Sequence, residues 1–129
     1  MNVDNAVFQL LQNALNAAQL RQQVYANNVA NVDTPGFKRQ DVVFEDLLQS
    51  ALGAAAADGG VSPSPAAMAV ALQVTPSVVR DGTSVMDNNG NNVDIDAEMA
   101  KLAQNQIRYN ALVEDVRMRL DRWKTAIEG

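Results

Sequence analysis

Apolar side chains recur with helical spacing at both ends of the chain and lose that regularity in between. From about Asp4 to Val32, the residues Val7, Leu11, Ala14, Ala18, Tyr25 and Val32 follow alternating steps of four and three, and Arg21 and Asn28 fill the two places missing from the series. Such a series forms one stripe on a helix, the pattern of a coiled-coil seam. Phe8, Leu10, Leu15, Leu20, Val24 and Val29 widen it beyond what a single partner helix covers. Asp4 or Asn5 is the expected N-cap. About 28 residues at 1.5 Å each make a rod of roughly 40 Å, which only a second long helix of so short a chain can cover. That helix is expected from Asp94 or Asp96 to Ile127. There Leu102, Gln106, Tyr109, Val113, Val116, Leu120, Trp123 and Ile127 repeat the alternation, and Asp94, Asp96 and Glu98 sit at the positive end of the helix dipole.

The first helix is expected to stop near Val32 or Asp33. Thr34 precedes Pro35, which disfavours helical geometry at residue 34, and Pro35-Gly36 fit the two central positions of a type II turn. Just before it, Asn27, Asn28 and Asn31 share one helix face. Two roles stand open for this row: it ends the helix, or, buried in a seam, it fixes register.

After the turn, Val42, Val43 and Phe44 read as an extended approach to a short helix carrying Phe44, Leu47, Leu48 and Leu52, with Asp41 as its cap and Gly53 as its end. From Gly53 to Asn92 the composition shifts to Ala, Gly, Ser, Pro, Asp and Asn. Ala54 to Pro65 reads as linker, Val70 to Arg80 as an edge strand or ribbon interrupted by Pro76, and Asp87 to Asn92 as a turn with Asn-Gly at hairpin positions. The expected fold is mainly α. One domain, 1–129, holds an N-terminal helix (1–33), a middle with turn, short helix, irregular chain and room for a β-ribbon (34–92), and a C-terminal helix (93–129), the two long helices packed as a coiled coil. Either they bury only each other, or their remaining apolar faces dock on neighbours.

Composition sharpens this. Hydrophobic residues make up 47% of the 129, but aromatics only 5%, so the apolar content is biased to small side chains. Each buries little area, and an isolated copy gains from packing on others. A net charge of −5 opposes binding to nucleic acid or an anionic membrane surface. The basic residues Arg108, Arg117, Arg119, Arg122 and Lys124 are interleaved with Glu114, Asp115 and Asp121, as on a solvated helix face. With neither Cys nor His, disulfides, common zinc sites, thiol nucleophiles and imidazole catalysis are excluded. Asp94 and Asp96 lack a nucleophile or basic partner, so no enzyme and no cofactor are expected. The Asp87 to Glu98 run has the bidentate Glu of a calcium loop but Asn92 where Gly is required, so a turn and helix cap account for it better. No Sec-type signal or membrane-spanning run is expected.

The stretch N-V-A-N-V-D-T-P-G-F-K, ending at Lys38, resembles the N-terminal signature of the bacterial flagellar rod and hook family, and G-N-N-V-D-I-D-A-E-M-A-K-L-A-Q-N-Q-I-R-Y-N, Gly90 to Asn110, resembles the C-terminal block of its proximal rod members. With their helices, the blocks cover roughly half of the chain. The resemblance implies a structural subunit of the proximal rod of the flagellar basal body, a tube that passes torque from the motor to the distal rod and hook. It implies Asn28, Ala30, Asn31, Thr34, Pro35, Gly36 and Phe37, with Gly90, Asn91, Asn92, Val93, Asp94, Glu98, Met99, Asn105 and Tyr109, as assembly residues. The implied partners are copies of the chain, the rod-to-inner-membrane-ring junction protein, other proximal rod proteins and the flagellar type III export apparatus, which would deliver it to the periplasm without a cleaved signal. A free-standing helical adaptor or export chaperone is the alternative, and the two signature blocks argue against it.

Overall fold

The computed structural model describes residues 3–56, 65–82 and 90–128. Two long helices frame the chain, α1 (Val3–Ala30) and α4 (Ile95–Glu128). Between them come β1 (Gln40–Val43), α2 (Glu45–Ala56), α3 (Pro65–Ala71) and β2 (Ser77–Arg80). α1 and α4 run antiparallel: Asn28 near the end of α1 meets Glu98 in the first turn of α4, while Phe8 and Trp123 meet near the opposite ends with ring centroids 5.9 Å apart, edge to face. The strands pair antiparallel with Gln40 opposite Arg80 and Val43 opposite Ser77. α2 and α3 are inserted between them, so the ribbon is no simple hairpin.

α1 begins at Val3, ahead of Asp4 and Asn5, which are therefore both inside the helix rather than its cap. At its other end the chain turns through Thr34–Phe37: Phe37 N donates to Thr34 O at 3.2 Å, and Gly36 has a φ of 74°, the geometry expected of a type II turn. α4 is capped as its sequence suggested, the Asp94 carboxylate accepting from the amides of Asp96 at 3.0 Å and Ala97 at 3.3 Å. β2 starts directly after Pro76, which lies outside the ladder and removes no hydrogen bond from it.

The core is thin and built of small residues. Val24 and Tyr25 of α1 bury against Val42 of β1, with Leu20 and Leu102 packed alongside, and Ala17 and Ala18 are buried further back along α1. Ala67, Ala71 and Leu72 form a second patch, and the carbonyl of Leu72 at the end of α3 accepts from Gln9 and Asn13 of α1 at 3.3 and 3.1 Å.

Several expectations need correction. Ala18 and Tyr25 are buried and Val7, Leu11 and Ala14 half-buried, but the places of Arg21 and Asn28 are among the most buried of the stripe. In α4 the line facing α1 runs Glu98, Leu102, Asn105, Tyr109, Leu112, Val116. It shares Leu102, Tyr109 and Val116 with the expected seam but leaves Val113, Leu120 and Ile127 exposed and Trp123 44% exposed. The cause is polar. Glu98 and Asn105 find partners on α1 and take seam positions that an apolar count assigns to their neighbours. Asp41 is not the cap of α2, because it lies within β1. The Phe44 carbonyl accepts the Leu48 amide and starts that helix instead. Gly53 does not end α2, which continues to Ala56, the strong helix propensity of the following alanines outweighing about 1 kcal/mol of glycine cost. α3 takes up Val70, expected in a strand. Gly90 to Asp94 carry no strand, and the rest of the expected hairpin turn, residues 87–89, lies outside the described residues.

Candidate assembly site

The two signature blocks meet at the sheet end of the helix pair in a buried network of amides and ions. Asn28, with no exposed surface, satisfies both sides of its amide: Nδ2 donates to Gln40 O at 2.7 Å and to Glu98 Oε2 at 3.0 Å, and Oδ1 accepts from Gln40 N at 2.9 Å. It pairs with the first residue of β1 as a neighbouring strand would and thereby closes the loop from 31 to 39.

Asn91 and Asn92 do the same from the other block. Asn91 Nδ2 donates to the carbonyls of Asn31 at 2.9 Å and Thr34 at 2.8 Å, while its Oδ1 accepts from Val93 N at 2.8 Å. It therefore gives a second hydrogen bond to two carbonyls of the turn after α1, which also accept from Thr34 N and Phe37 N. Asn92 joins the flanks of the ribbon, accepting from Arg39 N at 2.6 Å and donating to Asp81 O at 2.7 Å. Gly90, with a φ of 82°, has its backbone close against Gly36, where an added Cβ would lie 3.7 Å from the Gly36 Cα. Lys38 Nζ donates to the Gly90 carbonyl.

Charges complete the clasp. Glu98, 1% exposed, accepts from Asn28 and from Arg39 Nε. Arg39 also pairs with Asp41 at 3.1 Å and lies 3.7 Å from Asp81. Burial opposes its charge, yet the hydrogen bonds to Glu98 and Asp41 and the attraction of both carboxylates raise the Arg39 pKa above its ordinary value. A second pair lies one helical turn and more away, where Arg21 binds Glu45 and donates to Val42 O at 3.3 Å. Further along, Asn105 Nδ2 donates to Ala18 O at 2.8 Å, and its Oδ1 has no hydrogen-bond partner among the described residues.

Tyr25 and Asp41 give the network a pH signature. Burial pushes the Asp41 carboxyl up, but the Val42 amide, the Tyr25 hydroxyl and Arg39 outweigh it and hold the group below 3.8. Its contribution to stability is present above that value and fades as pH falls through the lower folded one. The Tyr25 phenol, buried and donating to Asp41 at 2.9 Å, is pushed up to about 12 from 10.0. The neutral phenol is favoured by the fold, so its contribution is whole below pH 10.0 and is lost towards about 12. Thermal melts at rising pH are expected to show that alkaline loss, and Tyr25→Phe is expected to remove it.

The turn carries its own prediction. Gly36 sits at positive φ with nothing within 4 Å of an added Cβ, so Gly36→Ala and Gly36→Val meet strain rather than a clash. Gly36→Val is expected to cost about 1 to 3 kcal/mol in urea unfolding.

Of the implied assembly residues, Asn28, Asn91, Asn92, Val93, Glu98 and Asn105 are buried within the single chain. Asn31, Phe37, Gly90 and Tyr109 are half-buried, and Ala30, Thr34, Pro35, Gly36, Asp94 and Met99 are exposed. Reading by motif missed Arg21, Arg39, Asp41 and Glu45. For Arg21 a signal was present in the sequence, as a charged residue filling a gap in an apolar seam. Outside the network, Met99, Val113, Leu120 and Ile127 recur at multiples of seven along α4 and are all exposed.

Two antiparallel terminal helices, locked to each other by a buried polar clasp and carrying an apolar stripe exposed among the described residues, define a helical, coiled-coil subunit with a face left for packing. Residues 8–38 match the model of the family described as flagella basal body rod protein. The chain is 40% identical over its full length to the flagellar basal body rod protein FlgB of Bacillus subtilis, covering 98% of that protein. It is 40% identical over 85% of its length to FlgB of Borrelia hermsii, covering 87% of that protein. The flagellar hook protein FlgE of Treponema pallidum is 40% identical over 60% of this chain, which spans 17% of that longer protein. The chain belongs to the FlgB family of flagellar basal body rod proteins.

Proposed function

We propose that this chain is a non-catalytic structural subunit of the proximal rod, packed into a tube that passes torque from the motor to the distal rod and hook. It is delivered by the flagellar type III export apparatus to the periplasmic part of the basal body. Its neighbours there are copies of itself, other proximal rod proteins and the rod-to-inner-membrane-ring junction protein. The observation that carries this reading is the exposed stripe Met99, Val113, Leu120, Ile127, which has the spacing of a helix seam and no cover among the described residues.

The buried and exposed members of the two blocks then have different parts. Asn28, Asn91, Asn92 and Glu98 set the angle between the helices and the loop that leaves α1. The exposed residues around Pro35 and along α4 meet the neighbours. Leu120→Glu separates these parts, because Leu120 is 52% exposed and its replacement is expected to leave folding stability within about 0.5 kcal/mol. Cells carrying it are expected to secrete the subunit at normal level and to fail to swim. Normal swimming at normal secretion would refute the proposed packing.

A further inference from the structure

The end of the helix pair opposite the clasp carries a cleft of about 190 Å³ lined by Phe8, Arg119, Arg122 and Trp123. Its aromatic floor is the edge-to-face pair of Phe8 and Trp123. Arg119 Nε lies 3.3 Å from Asp115 Oδ1, and Arg122 makes no ion pair or hydrogen bond among the described residues. Two guanidinium groups beside exposed aromatic surface suit a carboxylate that arrives with an apolar neighbour.

The same helix presents that combination at its other end. Asp94 and Asp96 are exposed at the start of α4 beside Ile95 and Met99, which are 44% and 53% exposed. Residues 96 and 122 are about 39 Å apart along the axis at 1.5 Å per residue. The charge of the whole chain is distributed in the same sense. Ten of the 15 acidic and five of the 10 basic residues fall between 21 and 107, so the net −5 resides in that segment and the two outer ends of the sequence are balanced.

We propose that the Phe8–Arg119–Arg122–Trp123 cleft of one copy receives the Asp94–Met99 start of α4 of a second copy, in a head-to-tail contact. The contact rests on the rod reading above, which requires subunits to join without closing into a pair. A heterologous interface of this kind leaves one cleft and one acidic end free at every stage and so propagates. Charge complementarity sets its polarity, because like ends repel.

Charge exchange tests it on the full chain by sedimentation velocity at low ionic strength. The wild type is expected to self-associate with rising concentration into species larger than a dimer, and to dissociate as salt is raised. R119E/R122E and D96R are each expected to weaken association by roughly tenfold or more, with helical content by circular dichroism unchanged. A one-to-one mixture of the two variants restores opposite charges at every contact and is expected to recover association. A wild type that stays monomeric, a closed dimer as the end state, or variants that associate as the wild type does would each overturn the contact. None of these outcomes bears on rod incorporation, which Leu120→Glu tests separately.

Discussion

Glu98→Ala is expected to lower folding stability by about 3 kcal/mol, the loss typical of removing one member of a buried ion pair. The carboxylate is 1% exposed and is shared by Arg39 of the loop before β1 and Asn28 of α1. Without it, Arg39 keeps Asp41 and the more distant Asp81, but its Nε–H and one Asn28 donor lose their acceptor in a buried setting. Leaving such groups unpaired costs more than the bonds themselves contribute. Glu98→Gln keeps an acceptor for one of the two donors and gives up the charge, so a smaller loss is expected. Urea unfolding followed by circular dichroism measures both. Equal and negligible losses would mean that the carboxylate is not the junction of the two blocks.

Asn28→Ala is expected to be nearly as damaging, at about 2 to 4 kcal/mol, because three hydrogen bonds end on one side chain with no exposed surface. Two of them occupy the backbone N–H and C=O of Gln40, which then face the interior without partners. Asn28→Asp offers a sharper comparison. It retains an acceptor for the Gln40 amide, but loses the donor to the Gln40 carbonyl and sets a second carboxylate against Glu98. It is therefore expected to be at least as costly as alanine although it is nearly isosteric, an order that simple packing loss would not produce.

The helices and the turn were legible in the sequence because their causes are local. Thr34, Pro35 and Gly36 restrict the backbone within three residues, and the structure has the hydrogen bond and positive φ that those restrictions call for. Asp94 likewise caps the helix that follows it directly. The clasp was only half legible. Arg21 and Asn28 stood out as polar residues in an apolar series, but their partners Glu45 and Glu98 lie 24 and 70 residues away, and no periodicity reports a pairing at that range.

The phase of α4 failed for the same reason. Counting apolar residues placed Gln106, Val113 and Leu120 in the seam, whereas Asn105 and Glu98 face α1 because α1 offers them the Ala18 carbonyl and the Asn28 amide. Leu102, Tyr109 and Val116 belong to both lines and could not choose between them. α3 was hidden by composition: it starts at Pro65, the end of the stretch that reads as linker, and takes in Val70 and Ala71, which read as the start of an edge strand, and its reason to form is the burial of Ala67 and Ala71. Val113, Leu120 and Ile127, displaced from the seam, join Met99 in the outward stripe on which the proposed packing rests.

Amide hydrogen exchange at Arg39, Gln40 and Val93 tests the clasp most directly. These three amides donate to the side chains of Asn92, Asn28 and Asn91, and none of them lies inside a helix. If the two blocks are joined as described, all three exchange as slowly as the amides of α1 around Ala18 and Tyr25: Arg39 because its acceptor lies on the other block and is released only when the blocks separate, Gln40 and Val93 because their acceptors Asn28 and Asn91 stay buried only while the blocks are joined. Exchange at the rate of a solvated loop, with α1 still protected, would contradict the clasp.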